Sequence, residues 1–426
     1  GEHWTLQLKG SGLTPYSRTA DGLAVLRSSI REFLCSEAMY YLGIPTTRAL
    51  SIITTGEQVV RDMFYDGHPK KEAGAVVCRL AQSFIRFGNF QLMADRNGIP
   101  LLKQLVDFTI KNDFPHIEQL RTASNEKEIY LQWFNEVCTR TCSMIMHWMR
   151  VGFVHGVMNT DNMSITGLTI DYGPYGWLEG FEPDWTPNTT DATHHRYAFA
   201  KQPQIAQWNL LQLANAILPL VDEVVPFEKI LQNTSTLFDF KWHEMMLKKI
   251  GIVNYDQILH KNKEHEDLLQ QLIQVLCCRE IDMTLFFRQL AEVNLATADF
   301  STQQDTDKAI DILSDSFYKS SPLNKKQFII FQNWLKLYQI KIKQEPQTHQ
   351  QKKQQMNQTN PLYVLRNYLA QQAIEKAEKG DYAEINTLLN LLKNPYEAQP
   401  GMERYQQKRP EWARHKAGCS MLSCSS

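Results

Sequence analysis

The chain has 426 residues and a net charge of −1 at pH 7, with 43% hydrophobic and 21% charged residues. This composition is typical of a folded soluble protein and excludes disordered, collagen-like and membrane-spanning classes. Because the net charge is close to zero, nothing general attracts the chain to nucleic acid or to an anionic membrane, and neither is an expected partner. The length predicts two or three globular parts.

The first ninety residues predict a strand, a helix and further strands. Residues 3–9 alternate between apolar and polar side chains, which is typical of a half-buried strand. Apolar residues then recur at helical spacing over about 22–42. Segments 51–55 and 58–64 are separated by Gly56 and predict a β-hairpin.

Helices are predicted over most of the following two hundred residues. A strongly apolar helix is expected at 130–149, followed by two very short strands at 153–154 and 163–165. Long amphipathic helices are expected from residue 208 to about residue 295.

The last part of the chain alternates between polar and helical stretches. Segments 301–324 and 341–360 have the composition of linkers or exposed coil. A helical pattern returns over 362–392, and the tail beyond residue 400 is irregular.

The candidate site residues follow the apolar helix. Asp161 and Asn162, and then the triplet Asp171-Tyr-Gly, place two carboxylates and a carboxamide on short loops. Such oxygen donors suit Mg²⁺, which takes one or two protein ligands and completes its octahedron with phosphate oxygens and water. The alternative is a turn rich in Asn, Asp and Gly without a catalytic role.

The spacing of these residues matches protein kinases, which use His-Arg-Asp-x-x-x-x-Asn and then Asp-Phe-Gly for the base and the metals. His155 and Asn162 fit the first pattern, and Asp171-Tyr-Gly fits the second. Val157 stands where a kinase has its catalytic Asp, and its side chain cannot accept a proton. Asp161 is the remaining candidate for the proton acceptor, and its alternative role is to hold the loop.

A kinase-like site also needs a strand lysine that is held by a helix carboxylate, and Lys9 with Glu32 fits that order. Alternatively, Lys9 is solvated and Glu32 pairs with Arg31 or with water. Arg79 and Arg86 lie in an otherwise apolar segment, where a guanidinium is costly to bury without an anionic partner. That partner is either a structural Asp or the terminal phosphates of a nucleotide.

Long ordered motifs run through the whole chain. They include Leu8-Lys-Gly-Ser-Gly-Leu-Thr-Pro-Tyr-Ser-Arg, Leu26-Arg-Ser-Ser-Ile-Arg-Glu-Phe-Leu, Gly156-Val-Met-Asn-Thr-Asp-Asn-Met, Asp171-Tyr-Gly-Pro, Tyr363-Val-Leu-Arg-Asn-Tyr-Leu-Ala-Gln-Gln and the closing Cys424-Ser-Ser. With these motifs the chain resembles the selenoprotein O, or YdiU, family of pseudokinases that act as protein adenylyltransferases. The resemblance implies an α+β, protein-kinase-like bilobal fold, with a β-rich N-lobe at 1–95, a helical C-lobe at 96–300 and a C-terminal helical extension at 301–426.

The resemblance also assigns roles to individual residues. It implies an ion pair between Lys9 and Glu32 and a proton acceptor at Asp161. It implies ligands for Mg²⁺ or Mn²⁺ at Asn162 and Asp171. The positions that match nucleotide-contacting residues of the family are Lys9, Asp21, Gly22, Glu32, Arg79, Arg86 and Asp171.

The resemblance implies transfer of AMP from ATP to Ser, Thr or Tyr hydroxyls of protein substrates, with UTP allowed as a second donor. If the cations hold the distal phosphates inward, the α-phosphorus becomes the exposed electrophile and pyrophosphate leaves. The alternatives are a kinase-like phosphotransferase and an inactive nucleotide-binding scaffold. We expect a monomer, located in the cytoplasm of a bacterium or in the mitochondria of a eukaryote.

Two expectations concern the ends of the chain. The family has a further glycine-rich, ATP-contacting segment before the strand that carries Lys9, and we expect that segment to precede residue 1. In bacterial relatives the C-terminal cysteine can form a disulfide with a loop cysteine, and the corresponding position here is Pro187. We therefore expect Cys424 to pair with Cys419 or to remain a free thiol.

Overall fold

A computed structural model of the chain describes residues 3–15, 17, 19–253, 263–296 and 298–423. A small sheet with one helix comes first and a larger helical part follows, so the predicted α+β class is confirmed. Within the described ranges, no helix combines the length and the apolar character needed to cross a membrane.

A four-stranded antiparallel sheet is built around one central strand. The strands are β1 (Thr5–Lys9), β2 (Ala24–Val25), β3 (Arg48–Arg61) and β4 (Lys70–Ala81). β4 pairs with each of the other three. In the register of β1 on β4, Gln7 stands opposite Arg79. Because side chains two residues apart share a face, Lys9 lies on the same face of the sheet as Arg79.

The hairpin predicted around Gly56 is wrong. Segments 51–55 and 58–61 belong to one long strand, β3, whose register against β4 shifts between Thr54 and Gln58. Gly56 has a φ of +79°, so its conformational freedom serves an irregularity inside the strand instead of a chain reversal. The chain reverses at 62–69, between β3 and β4.

Helix α1 (Leu26–Tyr41) confirms the helix predicted at 22–42 but begins four residues later, after the short strand β2. Its side chains Ile30 and Leu34 are fully buried. Gly43, with a φ of +74°, ends the helix by donating its N–H to the carbonyl of Tyr40 at 2.9 Å. α1 packs on β3 and β4 and thereby brings Glu32 towards the sheet.

Helices make up most of the remaining described chain. They are α2 (Phe87–Asp95), α3 (Ile99–Asp113), α4 (Pro115–Glu118), α5 (Glu126–Val151), α6 (Gln202–Val221), α7 (Val224–Lys249), α8 (Lys263–Cys277), α9 (Met283–Leu290), α10 (Gln303–Leu313), α11 (Lys325–Ile342), α12 (His349–Thr359), α13 (Asn367–Ala377) and α14 (Ala383–Leu391). α5 confirms and extends the apolar helix predicted at 130–149, and it packs against α6 and α7. Trp133 and Ile145 of α5 are fully buried.

The short strand predicted at 153–154 is present as β5 (Phe153–Val154), but the one predicted at 163–165 is not. β5 pairs with β6 (Gly176–Trp177). Segment 163–165 forms no strand and contributes one isolated bridge, from Ser164 to Arg86. This bridge holds the start of α2 against the loop that carries the candidate site residues.

The coil predicted at 301–324 and 341–360 is wrong over much of both segments, because α10 and α12 lie within them. Each helix begins with a side-chain cap, since Thr302 accepts from the N–H of Asp305 and Thr348 accepts from that of Gln351. A polar composition therefore hid two helices whose start signals are local.

A buried ion network joins the segment before α13 to the segment after β6. Arg366 Nη1 lies 2.6 Å from Glu179 Oε2 and 2.8 Å from Asp282 Oδ2. Its Nη2 donates to Asp282 Oδ1 at 3.0 Å, and all three side chains are buried. Burial raises the pKa of Glu179 although Arg366 opposes the shift. The Arg366 guanidinium thus offsets the free-energy cost of burying two carboxylates.

Arg366→Ala is expected to destabilise the protein by about 3–5 kcal/mol, because both buried carboxylates lose their cation. Arg404→Ala is the matched control, since Arg404 is 65% exposed beside Glu384 and its loss is expected to cost at most about 1 kcal/mol. Urea unfolding of the two variants measures the difference. Equal losses would contradict a structural role for the Arg366 network.

Candidate active site

Asp171 lies at the centre of a group of charges between the sheet, α1 and α2. Lys9 Nζ, at the end of β1, is 2.5 Å from Glu32 Oε2 and 3.5 Å from Asp171 Oδ1. Arg79 Nη1, on β4, is 2.9 Å from Glu32 Oε1 and 2.6 Å from Asp171 Oδ1. Arg86 Nη1 contacts Asp171 Oδ2. The structure thus brings five of the candidate residues together, and we call this group the charge cluster.

The electrostatics of the charge cluster are set by burial and by its cations. Burial acts to raise the pKa of Asp171, but Arg79, Lys9 and Arg86 hold it well below its usual range. Burial acts to lower the pKa of Arg79. The nearby carboxylates of Glu32 and Asp171 outweigh this effect and raise it. With three cations and two carboxylates, the cluster has an excess of positive charge and attracts an anionic ligand.

The backbone at Asp171 is held in an uncommon conformation. Its φ of +56° lies in the left-handed region, which residues other than glycine seldom adopt. The next residue, Tyr172, is buried and its hydroxyl contacts Thr46 Oγ1. Gly173 donates its N–H to the carbonyl of Asp171 at 2.9 Å. An anchored neighbour and a tight turn thus maintain the local strain that aims the carboxylate at the cations.

His155 occupies the kinase-like histidine position but has a structural role here. It is buried and stacked on Trp148, with ring centroids 5.3 Å apart. Its Nε2 donates to the carbonyl of Ile170 at 2.9 Å, and its Nδ1 accepts from the N–H of Val157 at 3.4 Å. Burial lowers the pKa of His155. A neutral imidazole therefore ties the loop at 155–162 to the residue that precedes Asp171.

Asp161 and Asn162 lie in a single 3-10 turn, Thr160–Asn162. Asp161 is exposed to solvent. Its carbonyl accepts from Arg86 Nη1 at 2.7 Å, which connects this turn to the charge cluster. Asn162 donates its amide Nδ2 to the carbonyl of Val157 at 3.0 Å. The amide oxygen of Asn162 is consequently the atom left for a cation.

The donor types fit a hard divalent cation. Asn162 and Asp171 supply a carboxamide oxygen and a carboxylate, which is about the number of protein ligands that Mg²⁺ takes. Within the described part of the chain, no three His, Cys, Asp or Glu side chains gather as a metal site of their own. A cation bound between Asn162 and Asp171 would need further oxygen donors, such as phosphate and water.

Comparison with known proteins identifies the family. Residues 1–393 match the model of a family described as protein adenylyltransferase SelO. The chain belongs to the SelO family. A protein nucleotidyltransferase YdiU from Rhodopirellula baltica is 53% identical over 428 residues, which cover 100% of this chain and 78% of that protein. Those from Azoarcus sp. (52% over 426 residues, 100% and 78%) and Flavobacterium johnsoniae (52% over 423 residues, 99% and 78%) are similar. The predicted family and enzyme class, a nucleotidyltransferase, are confirmed.

Two candidate residues of this SelO-family chain lie apart from the charge cluster. Asp21 is in the loop between β1 and β2, where it forms two hydrogen bonds with Arg61, at 2.7 and 2.8 Å. The Arg61 guanidinium lowers the pKa of Asp21. Gly22 has a φ of +71°, and a Cβ there would lie 2.1 Å from the carbonyl oxygen of Gly12. Both residues therefore shape the loop that follows Lys9.

The C-terminal tail reaches Pro187, which by the family resemblance corresponds to the loop cysteine of bacterial relatives. Leu422 donates its N–H to the carbonyl of Pro187 at 3.0 Å and accepts from the N–H of Thr189 at 2.7 Å. Between them, Asn188 Nδ2 donates to the carbonyl of Gly156 at 3.0 Å, so the tail supports the loop that carries Asp161.

Of the two C-terminal cysteines, only Cys419 lies within the described residues. Cys419 is buried, and burial raises the pKa of its thiol to about 12. Cys424 lies outside the described residues. Cys419 is a free thiol, which does not bear out the expected pairing with Cys424.

Two contacts of the site were missed by reasoning from the sequence. Gln7 Oε1 accepts from Arg79 Nη2, and the alternation of β1 is the signal that places Gln7 on the face of Lys9. Gly88, at the start of α2, approaches Asp161 so closely that a Cβ would lie 2.1 Å from Asp161 Oδ1. No local pattern in the sequence indicates this second contact, because the two residues are far apart along the chain.

Gly88→Ala is expected to lower the turnover number by about tenfold or more, because the new methyl group displaces the Asp161 carboxylate by an amount to which catalysis is sensitive. Gly98→Ala is the control, since the nearest atom to a Cβ there is Met93 O at 3.3 Å. Nucleotidyl-transfer rates of both variants provide the measurement, with circular dichroism to verify folding. Unchanged turnover in Gly88→Ala would show that the position of Asp161 is not critical.

Proposed function

We propose that this chain transfers AMP from ATP to Ser, Thr or Tyr hydroxyls of protein substrates and releases pyrophosphate, with Asp161 as the proton acceptor. Membership of the SelO family supports the reaction class and implies ATP as the substrate. The observation that carries the proposal is the charge cluster at Asp171, with an exposed carboxylate on the adjoining turn and an apolar side chain at Val157.

The cations of the cluster suit the distal phosphates of ATP. Arg79 is buried behind Asp171, whereas Lys9 and Arg86 retain 36% and 21% exposure of their side chains. Guanidinium groups bind phosphate oxygens in a bidentate manner, and this binding is strong where water is excluded. With the β- and γ-phosphates held at these cations, the α-phosphorus faces the open side, where Asp161 lies.

Asn162 and Asp171 are the residues that would hold Mg²⁺ or Mn²⁺ in this site. When bound, the cation neutralises charge on the phosphate oxygens and on the departing pyrophosphate. Asn162 presents its oxygen because its nitrogen is engaged by Val157, and the anchored turn at Tyr172 fixes the Asp171 carboxylate. Both ligands are therefore oriented before the nucleotide binds.

Every bond and the proton of the transfer step can be accounted for. The substrate hydroxyl oxygen forms a bond to the α-phosphorus, and the bond from that phosphorus to the oxygen shared with the β-phosphate breaks. Pyrophosphate takes the electron pair, and the hydroxyl proton passes to the Asp161 carboxylate. Arg86 donates to the carbonyl of Asp161 and contacts Asp171, so one side chain couples the acceptor turn to the phosphate site.

We further propose that these parts form a kinase-like bilobal arrangement, with an N-lobe at 1–95, a C-lobe at 96–300 and an extension at 301–426. One supporting feature is a strand lysine paired with a helix glutamate, Lys9 with Glu32. The other is an Asp-Tyr-Gly turn that lies between β5 and β6 along the chain. The kinase pattern uses the same order of parts.

Radioactive label at different phosphates of ATP tests the reaction. When the protein is incubated with a protein extract and Mn²⁺, label from the α-phosphate is expected to become covalently attached to protein, whereas label from the γ-phosphate is expected in pyrophosphate. Asp171→Asn is expected to abolish the attachment, since a cation and the phosphates lose a ligand. Attachment from the γ-phosphate alone would replace this proposal with a kinase reaction.

Asp161→Asn is expected to lower the turnover number by about 10²–10⁴-fold, because general-base catalysis is lost, while nucleotide binding persists. Asp95→Asn, at the far end of α2 and also exposed, serves as the control and should retain full turnover. Steady-state kinetics and equilibrium binding of a non-hydrolysable ATP analogue separate the two effects. Turnover of Asp161→Asn close to that of the wild type would leave Asp161 only the role of holding the loop.

A further inference from the structure

Arg31 stands next to Glu32 on α1 but points to a different partner. Its Nη2 donates to the carbonyl of Tyr175 at 2.6 Å, and the hydroxyl of Tyr175 donates back to the carbonyl of Arg31 at 2.8 Å. The guanidinium carbon also lies 4.3 Å from the centre of the Tyr175 ring, within the range of a cation–π interaction. Two side chains that are 144 positions apart thus hold each other's backbone.

We propose that Arg31 and Tyr175, which we call the clasp, are positioning residues that set the distance between Glu32 and Asp171 for nucleotidyl transfer. The inference rests on the proposed function, because it assigns the clasp to the same reaction. Glu32 follows Arg31 directly, and Asp171 precedes Tyr175 by four residues. The clasp and the charge cluster are therefore two connections between the same two segments.

The cost of the clasp argues for a role beyond packing. Arg31 is 1% exposed, and its Nε and Nη1 have no hydrogen-bond partner among the described residues. The neighbouring carboxylate, Glu32, pairs with Lys9 and Arg79 instead. A buried guanidinium with unsatisfied donors is costly, and an apolar side chain of similar volume would pack there without that penalty. The polar contacts to Tyr175 specify a geometry that an apolar contact would not.

The ring of Tyr175 is itself fixed. It stacks on Phe153 of β5 with centroids 5.7 Å apart, and it contacts the edges of Tyr172 and Trp177 at 5.7 and 5.8 Å. Tyr172 belongs to the turn that aims the Asp171 carboxylate. A rigid aromatic group therefore transmits the position of α1 to the turn at Asp171.

The displacement that the clasp prevents is one that matters for this chemistry. Arg79 Nη1 bridges Glu32 and Asp171 at 2.9 and 2.6 Å, and at least one of these contacts lengthens if α1 moves away from the Asp171 turn. An error of about 1 Å in such a site can cost on the order of 10²-fold in rate. Loss of the clasp is thus expected to weaken cation binding and turnover while the fold persists.

The test uses Tyr175→Phe and Arg31→Lys in the full chain. Tyr175→Phe removes one hydrogen bond and keeps the ring, and Arg31→Lys keeps the charge over the ring with fewer donors. Tyr338→Phe is the matched control, because Tyr338 is also fully buried and its hydroxyl donates to one carbonyl, that of Ile250, at 2.5 Å. All variants are compared with the wild type for thermal stability, turnover and half-saturating Mn²⁺ concentration.

Both clasp variants are expected to lower turnover by about tenfold and to raise the half-saturating Mn²⁺ concentration severalfold, with the Michaelis constant for the protein substrate unchanged. Electron paramagnetic resonance of Mn²⁺ with a non-hydrolysable ATP analogue should show the same loss of affinity without turnover. Tyr338→Phe should change thermal stability alone. A merely structural role lowers the amount of active enzyme but leaves the half-saturating concentration unchanged.

Two outcomes overturn the proposal. Mn²⁺ affinity of Tyr175→Phe and Arg31→Lys equal to that of the wild type overturns the clasp, as does an equal loss in Tyr338→Phe. If Tyr175→Phe does not fold, Arg31→Lys carries the same comparison. If the wild type transfers no α-phosphate label, the proposed function fails separately, and the Mn²⁺ titration still decides whether the clasp positions the cation site.

Discussion

The contacts of Asp171 with Arg79 and Arg86 are the constraint on which the rest of the site depends. A carboxylate in this position is costly to bury without cations, and β1, β4 and the start of α2 each supply one. Glu32 then shares two of these cations, which fixes α1 against the sheet. One half-buried charge thereby determines how three elements of the first ninety residues meet the loop that follows α5.

The parts of this site that the sequence predicted are those with a local signal. Alternation in β1 places Lys9 on one face, and helical spacing places Glu32 on α1, so their order along the chain was sufficient to propose the pair. The turn residues at Asp171 and the spacing from His155 to Asn162 are likewise short-range patterns. The structure brings Lys9 and Glu32 to 2.5 Å, although their functional roles stay proposals.

Contacts between distant segments could not be predicted in the same way. Neither the approach of Gly88 to Asp161 nor the clasp of Arg31 with Tyr175 leaves a pattern within a window of neighbouring residues. The hairpin at Gly56 failed for a related reason, because a glycine marks a turn or a strand irregularity equally well until the partner strand is known. Composition alone likewise gave no indication of α10 and α12. Their N-terminal caps are the local signals that mark where these helices begin.

The contacts of the loop at 155–162 do not depend on a carboxylate at position 157. His155 is buried as a neutral imidazole that joins this loop to Ile170, so the histidine keeps its structural function whatever the chemistry. Val157 takes part through its backbone. Its N–H donates to His155 and its carbonyl accepts from Asn162, and both contacts are independent of its side chain. The proton acceptor is therefore free to lie elsewhere on the loop. Asp161 is exposed on that loop, as the proposed role of proton acceptor requires.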